Sequence, residues 1–234
     1  MRLLLISNST NAGEAYLEHP LKQIRCFLGT EKIRAVFIPY AGVTVSFDEY
    51  ADRVRERFRE IGHDLLSVHE SGDPVNAIQQ AGAIVVGGGN TFHLLRMMQD
   101  RGLMEAVRGK VLGGTPYIGW SAGSNLACPT IRTTNDMPVV EPAGFGALNL
   151  VPFQINPHYL DANPEGHAGE TREMRIGEFI QVNPDIYVVG LREGSMLRAE
   201  GISLKLLGPR PARIFRKGMP PRELTTEGDF SFLM

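Results

Sequence analysis

Cysteine is scarce in this chain. Cys26 and Cys128 are its two cysteines, and neither has a partner at metal-ligand spacing. A disulfide framework and a structural zinc site of the usual kind are therefore excluded. The pair reads as reduced core thiols in a reducing compartment, with the cytoplasm as the expected location. Long apolar runs are missing as well. The opening segment Met1–Ser7 has one basic residue and an apolar run of only about four residues, too short for a signal peptide or a membrane span. No excess of one charge stands in their place. The 24 Lys+Arg and 26 Asp+Glu leave a formal charge of −2, which argues against nucleic acid or an anionic membrane as partner. Affinity for an acidic ligand must then come from a few placed arginines. Repeats and low-complexity tracts are also lacking. What remains is an ordinary globular composition: 234 residues, 43% hydrophobic and 21% charged, enough for one packed α/β domain over residues 1–234.

Short apolar segments ending in Gly, Asn, Ser or Pro mark the strands. They are Arg2–Ser7, Arg34–Pro39, Asp64–Val68, Ala83–Val86, Pro116–Trp120, Asn149–Ile155 and Ile186–Leu191. Helical periodicity occupies Phe47–Ile61, Val75–Gln80, Thr91–Gln99, Leu103–Lys110 and Thr171–Gln181, with Asp73 and Asn90 as N-caps. Strands that are apolar throughout, alternating with helices, predict a mostly parallel sheet covered on both faces. Ser195–Arg198, Ser203–Leu207 and Ala212–Arg216 are closely spaced and broken by Gly and Pro, which predicts an antiparallel meander at a sheet edge. Ligands of open parallel sheets bind beyond the carboxyl ends of the strands, so the residues just after each strand carry the functional information.

Three strand ends stand out. Gly119-Trp120-Ser121-Ala122-Gly123 follows an apolar strand and reads G-x-S-x-G. That is the pattern of a nucleophile elbow, with Ser121 in a tight turn and the Ala122 N–H facing a developing oxyanion. A serine merely capping a helix in a Gly-rich turn is the alternative. Gly87-Gly88-Gly89-Asn90-Thr91 follows a second strand and opens a helix. Position 92 is Phe and no Gly-Lys-Ser/Thr follows, so neither a dinucleotide fingerprint nor a P-loop is present. Gly89 instead suits the second oxyanion donor. His158 follows a third strand in Ile155-Asn156-Pro157-His158 and is the favoured general base among six histidines, with His93 its main rival. His19, His63, His69 and His167 read as loop or solvated residues. The imidazole needs an acid to orient it. Glu193, at the end of Ile186–Leu191, is one choice and Asp136, in a loop, the other.

Four segments carry a family resemblance: Val86–Phe92, Gly119–Pro138, Gln154–His158 and Pro164–Arg175. Together they resemble peptidase E, the α-aspartyl dipeptidase family, over most of the chain, more weakly in the tail. The resemblance implies a fold similar to class I glutamine amidotransferases. It also implies hydrolysis of Asp-X dipeptides by Ser121, His158 and Glu193, with Gly89 and Ala122 as oxyanion donors and neither cofactor nor metal. Ser124 stands where some relatives are expected to have a small apolar residue. For an N-terminal Asp substrate, the side-chain carboxylate calls for a guanidinium, Arg172 first, with Arg132 and Arg175 in reserve. Asp136 suits the α-ammonium if Glu193 is the acid, and Asn90 is counted with the substrate-binding residues. The expected partners are small peptides, with the chain as a monomer or homodimer. Alternatives are an amidase or cyanophycin-type peptidase on the same scaffold, and a binding protein that keeps the crevice without turnover. A metal set of His158, His167 and Glu170 has poor spacing.

Overall fold

A computed structural model of the chain describes residues 1–163, 165–166 and 168–234. His167 therefore lies outside the described residues. Five strands form the parallel body of the larger sheet: β1 (Arg2–Ile6), β2 (Arg34–Ile38), β3 (Asp64–Ser67), β4 (Ala83–Val86) and β5 (Tyr117–Trp120). Two further strands, β8 (Met196–Glu200) and β9 (Ser203–Leu207), extend it antiparallel beyond β1, in the order β3-β2-β4-β5-β1-β8-β9. Its helices are α1 (Glu18–Leu28), α2 (Phe47–Glu60), α3 (Pro74–Gln79), α4 (Thr91–Asp100), α5 (Leu103–Leu112) and α6 (Ala122–Leu126).

Alternation along the buried strands divides the core in two. Leu3, Leu5, Val36, Ile38, Ile84, Val86 and Tyr117 point to one face. Leu4, Ile6, Ala35, Phe37, Ala83, Val85 and Ile118 point to the other. A strand apolar at every position needs cover on both sides, and the helices supply it. Burying a Leu, Val, Ile or Phe side chain is worth about 1.5–3 kcal/mol before ordering costs. These two layers therefore hold the strand ends rigidly enough to carry a site.

A second sheet departs from the sequence expectation. Strands β6 (Gln154–Pro157), β7 (Val188–Leu191), β10 (Ala212–Arg216) and β11 (Met219–Leu224) pair in the order β11-β10-β7-β6. Two segments expected to extend the parallel sheet thus leave it. They still run parallel to each other, β6 beside β7. The tail expected as one meander is divided: β8 and β9 edge the large sheet while β10 joins the small one. One face of the small sheet, through Ile155, Val189, Leu191, Ala212 and Ile214, enters the same apolar cluster as Leu3 and Leu5. Its other face packs Val188 and Phe215 on Ile176 and Ile180 of α7 (Arg172–Val182). No helix among the described residues is long and apolar enough to cross a membrane.

Candidate active site

Ser121 sits between β5 and α6 with φ 51° and ψ −110°. A non-glycine residue held there stores about 1–3 kcal/mol of backbone strain, which its surroundings must enforce. Two glycines make the bend possible. A Cβ on Gly119 would lie 2.5 Å from the Gly123 carbonyl oxygen, and one on Gly123 would lie 2.3 Å from the Val86 carbonyl oxygen. Hydroxyls then fasten the turn. The Tyr117 hydroxyl donates to Gly123 O at 2.6 Å, and Ser124 Oγ lies 2.8 Å from Ile6 O and 2.9 Å from Gly119 O. Ser124 thus ties the helix start to two strands.

The imidazole arrives from the small sheet. His158 follows β6 with φ 52°. Its Nε2 lies 2.9 Å from Ser121 Oγ and its Nδ1 2.9 Å from Glu193 Oε1. His93, the rival base, instead places Nδ1 2.7 Å from the Tyr40 carbonyl. Asp136 is engaged elsewhere: its Oδ2 accepts from the Thr91 N–H at 2.7 Å and from Thr134 Oγ1 at 3.0 Å. A carboxylate at the start of α4 complements the exposed amides and dipole of that helix. Of the two candidate acids, Glu193 is the one facing His158.

Ser7 and Asn8, just past β1, hold this arrangement together. Ser7 Oγ donates to Leu191 O at 2.7 Å and accepts from the His158 N–H at 2.9 Å. Asn8 Oδ1 accepts from the Gly194 N–H at 2.8 Å, next to Glu193. The preceding Arg192 is buried; it binds Asp161 at 2.9 Å and Glu223 at 2.7 Å. Its hydrogen bonds hold both carboxyls below the usual carboxylate range. Ser7 and Asn8 are not among the sequence candidates, although a polar pair after a buried strand, at the carboxyl end, is the signal that marks them.

Two amides complete the crevice. Ser121's own N–H is taken by the Ile6 carbonyl at 3.0 Å. The N–H groups of Gly89 and Ala122 meet no acceptor among the described residues. Gly89 has φ 133°, and a Cβ there would lie 2.2 Å from the Ala41 carbonyl oxygen. Behind this loop the buried Tyr50 hydroxyl donates to Gly88 O at 2.9 Å and accepts from Trp120 Nε1 at 3.2 Å. One phenol therefore touches the residue before Gly89 and the residue before Ser121. It lies far away in sequence, and nothing local announced it.

Two cavities gather the remaining candidate residues. The first, of about 430 Å³, is lined by Ser121, His158, Gly89 and Asn90, with Tyr16 and Arg53 among the other walls. Asn90 caps α4 through the His93 N–H at 3.0 Å and donates to Met137 O at 2.7 Å. The second cavity, of about 160 Å³, gathers Arg132, Arg172, Arg175 and Asp136 beside Asn156. Burial first, and then the neighbouring Arg175, lower the affinity of the Arg172 guanidinium for its proton, while Asp136 opposes them. Asn156 is buried, with Oδ1 unpartnered among the described residues. Arg172 and Asp136 thus share a cavity, but one with no wall in common with that over Ser121.

Comparison with known proteins places the chain in a family. The model of Peptidase family S51 matches residues 3–207. Peptidase E of Nostoc sp. is 49% identical over 233 residues, spanning 100% of this chain and 96% of the relative. Peptidase E of Streptomyces coelicolor is 52% identical over 235 residues, spanning 100% of this chain and 95% of the relative. Among solved structures, a peptidase from an acI-B1 Actinobacterium aligns with a TM-score of 0.67 at 14% identity, covering 97% of this chain and 94% of that one, a likeness of fold alone. Matched by the family model over residues 3–207 and by relatives along its whole length, the protein is a peptidase and belongs to peptidase family S51.

Proposed function

We propose that the protein is a cytoplasmic serine-type exopeptidase that hydrolyses Asp-X dipeptides through an acyl-enzyme on Ser121. The observation that carries this reading is the continuous chain from Ser121 Oγ through His158 to Glu193, 2.9 Å at each step. His158 takes the Ser121 proton as Oγ attacks the Asp–X carbonyl carbon. The N–H groups of Gly89 and Ala122 bind the oxyanion, and Glu193 stabilises the imidazolium. The tetrahedral species collapses, the C–N bond breaks, and His158 gives its proton to the leaving amine. Water, deprotonated by the same imidazole, then attacks the aspartyl ester, and His158 returns the proton to Ser121 Oγ as the ester C–O bond breaks. Every step is assigned to side chains and main-chain amides.

Selectivity for aspartate is assigned to the second cavity. Arg172 would hold the side-chain carboxylate, aided by Arg132 or Arg175. Asp136 and the free Asn156 Oδ1 would take the α-ammonium. Asn90 serves by holding the oxyanion loop against the Asp136–Met137 segment. The decisive assay compares Asp-Leu, Glu-Leu and β-Asp-Leu. Cleavage of Asp-Leu alone is expected, and equal cleavage of all three would overturn the aspartyl assignment. Arg172→Met is expected to lower kcat/KM for Asp-Leu by about 100-fold, the scale of a lost charge-assisted hydrogen-bonding pair. An unchanged value would move carboxylate recognition to another residue.

Tyr50 is assigned a positioning role. Tyr50→Phe removes the donor to Gly88 O and the acceptor for Trp120 Nε1, a change worth about 1–2 kcal/mol. Steady-state kinetics should show kcat reduced by roughly tenfold with KM little altered, because the oxyanion forms only after binding. A rise in KM at constant kcat would show that the phenol shapes the pocket instead.

A further inference from the structure

The Asp-X reading accounts for the acyl half of a substrate and leaves its other half without a partner. The leaving amine must meet His158 Nε2 to be protonated, and the cavity that His158 shares with Ser121 is the larger one. That cavity is walled by Tyr16, Val43, Val45, Tyr50 and Trp120 and by one guanidinium, Arg53. Among the described residues Arg53 is the only lining side chain with a fixed charge. Its guanidinium carbon lies 5.5 Å from the centre of the Tyr16 ring, and it makes no ion pair among the described residues. Tyr16 in turn is set edge-on to Tyr50 at 6.5 Å and to Trp120 at 6.4 Å between ring centres. A cation stacked on an aromatic ring keeps its in-plane N–H donors free for a bidentate partner. Arg53 lies on the exposed side of α2, while Ala51 and Val54 beside it are buried. Core packing therefore does not explain where its head group lies.

We infer that Arg53 binds the free α-carboxylate of the leaving residue, and that the aromatic and valine walls hold its apolar side chain. This rests on the Asp-X reading and deepens it. A dipeptide puts a carboxylate one residue beyond the scissile bond, within a cavity of about 430 Å³. A longer peptide puts a neutral amide there and moves the charge away. The guanidinium would thus select dipeptides over longer chains, and leucine-like leaving residues over acidic or basic ones.

The test compares Asp-Leu with Asp-Leu amide, which differ only in the terminal charge, on the parent protein and on Arg53→Met and Arg53→Lys. The parent is expected to favour the free acid in kcat/KM by about tenfold or more, the scale of one charge-assisted hydrogen-bonding pair. Arg53→Met should bring that ratio near one, with the loss concentrated on the free acid and expressed in KM. Arg53→Lys should restore part of it. A ratio unchanged in Arg53→Met overturns the inference, and so does an equal loss on both substrates, which would put Arg53 on the aspartyl side chain. A parent that cleaves both equally overturns the inference and leaves the Asp-X reading standing. A parent that cleaves neither overturns both. Thermal midpoints of the two variants check that each is folded.

Discussion

Ser121→Ala is expected to lower kcat for Asp-Leu by about 10⁴-fold or more and to leave the fold in place. Alanine deletes Oγ, the atom that lies 2.9 Å from His158 Nε2. It keeps the backbone at φ 51°, since the constraints come from Gly119, Gly123, Tyr117 and Ser124 and not from the hydroxyl. Stability should therefore move by less than about 1 kcal/mol, the range for a change that neither empties core volume nor orphans a buried donor. A serine-directed fluorophosphonate should label the parent stoichiometrically and leave the variant unlabelled. Turnover of the variant within about tenfold of the parent would reject Ser121 as nucleophile.

Gly89→Ala is expected to damage stability and activity together. A methyl group there would lie 2.2 Å from the Ala41 carbonyl oxygen, at a φ of 133° that side chains rarely accept. Relief requires the loop between β4 and α4 to move, and with it the N–H assigned to the oxyanion. Destabilisation of roughly 2–5 kcal/mol should appear in urea unfolding, from overpacking and backbone strain combined. A fall in kcat of about 100-fold should accompany it, the scale of one lost oxyanion donor. Gly109 is the control. Beyond the helix's own backbone and the two chain neighbours, nothing among the described residues lies within 4 Å of a Cβ built there, inside α5. Gly109→Ala should be neutral or stabilising by about 0.5–1 kcal/mol, because alanine suits a helix interior better than glycine. Equal effects at both positions would undo the steric argument.

The parts of the fold legible in the sequence were those set by local chemistry. Apolar runs located β1, β2, β4 and β5, and Asn90 announced the start of α4. Gly119 and Gly123 around Ser121 marked the bend, because the close approach of main chains leaves only glycine room. Strand partnership was not legible. Whether β6 joins the large sheet or pairs with β7 in a second one depends on packing between distant segments, not on the composition of either. β11 escaped because Pro220 and Pro221 argue against a strand; it is an edge strand, where a missing N–H is tolerated. α1 begins after Leu17, in a left-handed conformation with no capping side chain, so its start has no sequence signature. The polar contacts were mixed. His158 and Glu193 stood out as strand-end residues, whereas Ser7, Asn8 and Tyr50 matter for what they touch across long stretches of chain.

With Ser121 on one sheet and His158 and Glu193 on another, the proposed mechanism makes hydrolytic competence a property of how the two layers are joined. The Ser7 hydroxyl is a shared fastener at that seam, reaching the end of β7 and the amide of residue 158 at once. A slip of one ångström between the layers would stretch the proton path beyond hydrogen-bond reach while each sheet kept its own ladder intact. Turnover is thus a sensitive gauge of inter-sheet alignment, able to register a disturbance too small to unfold either layer.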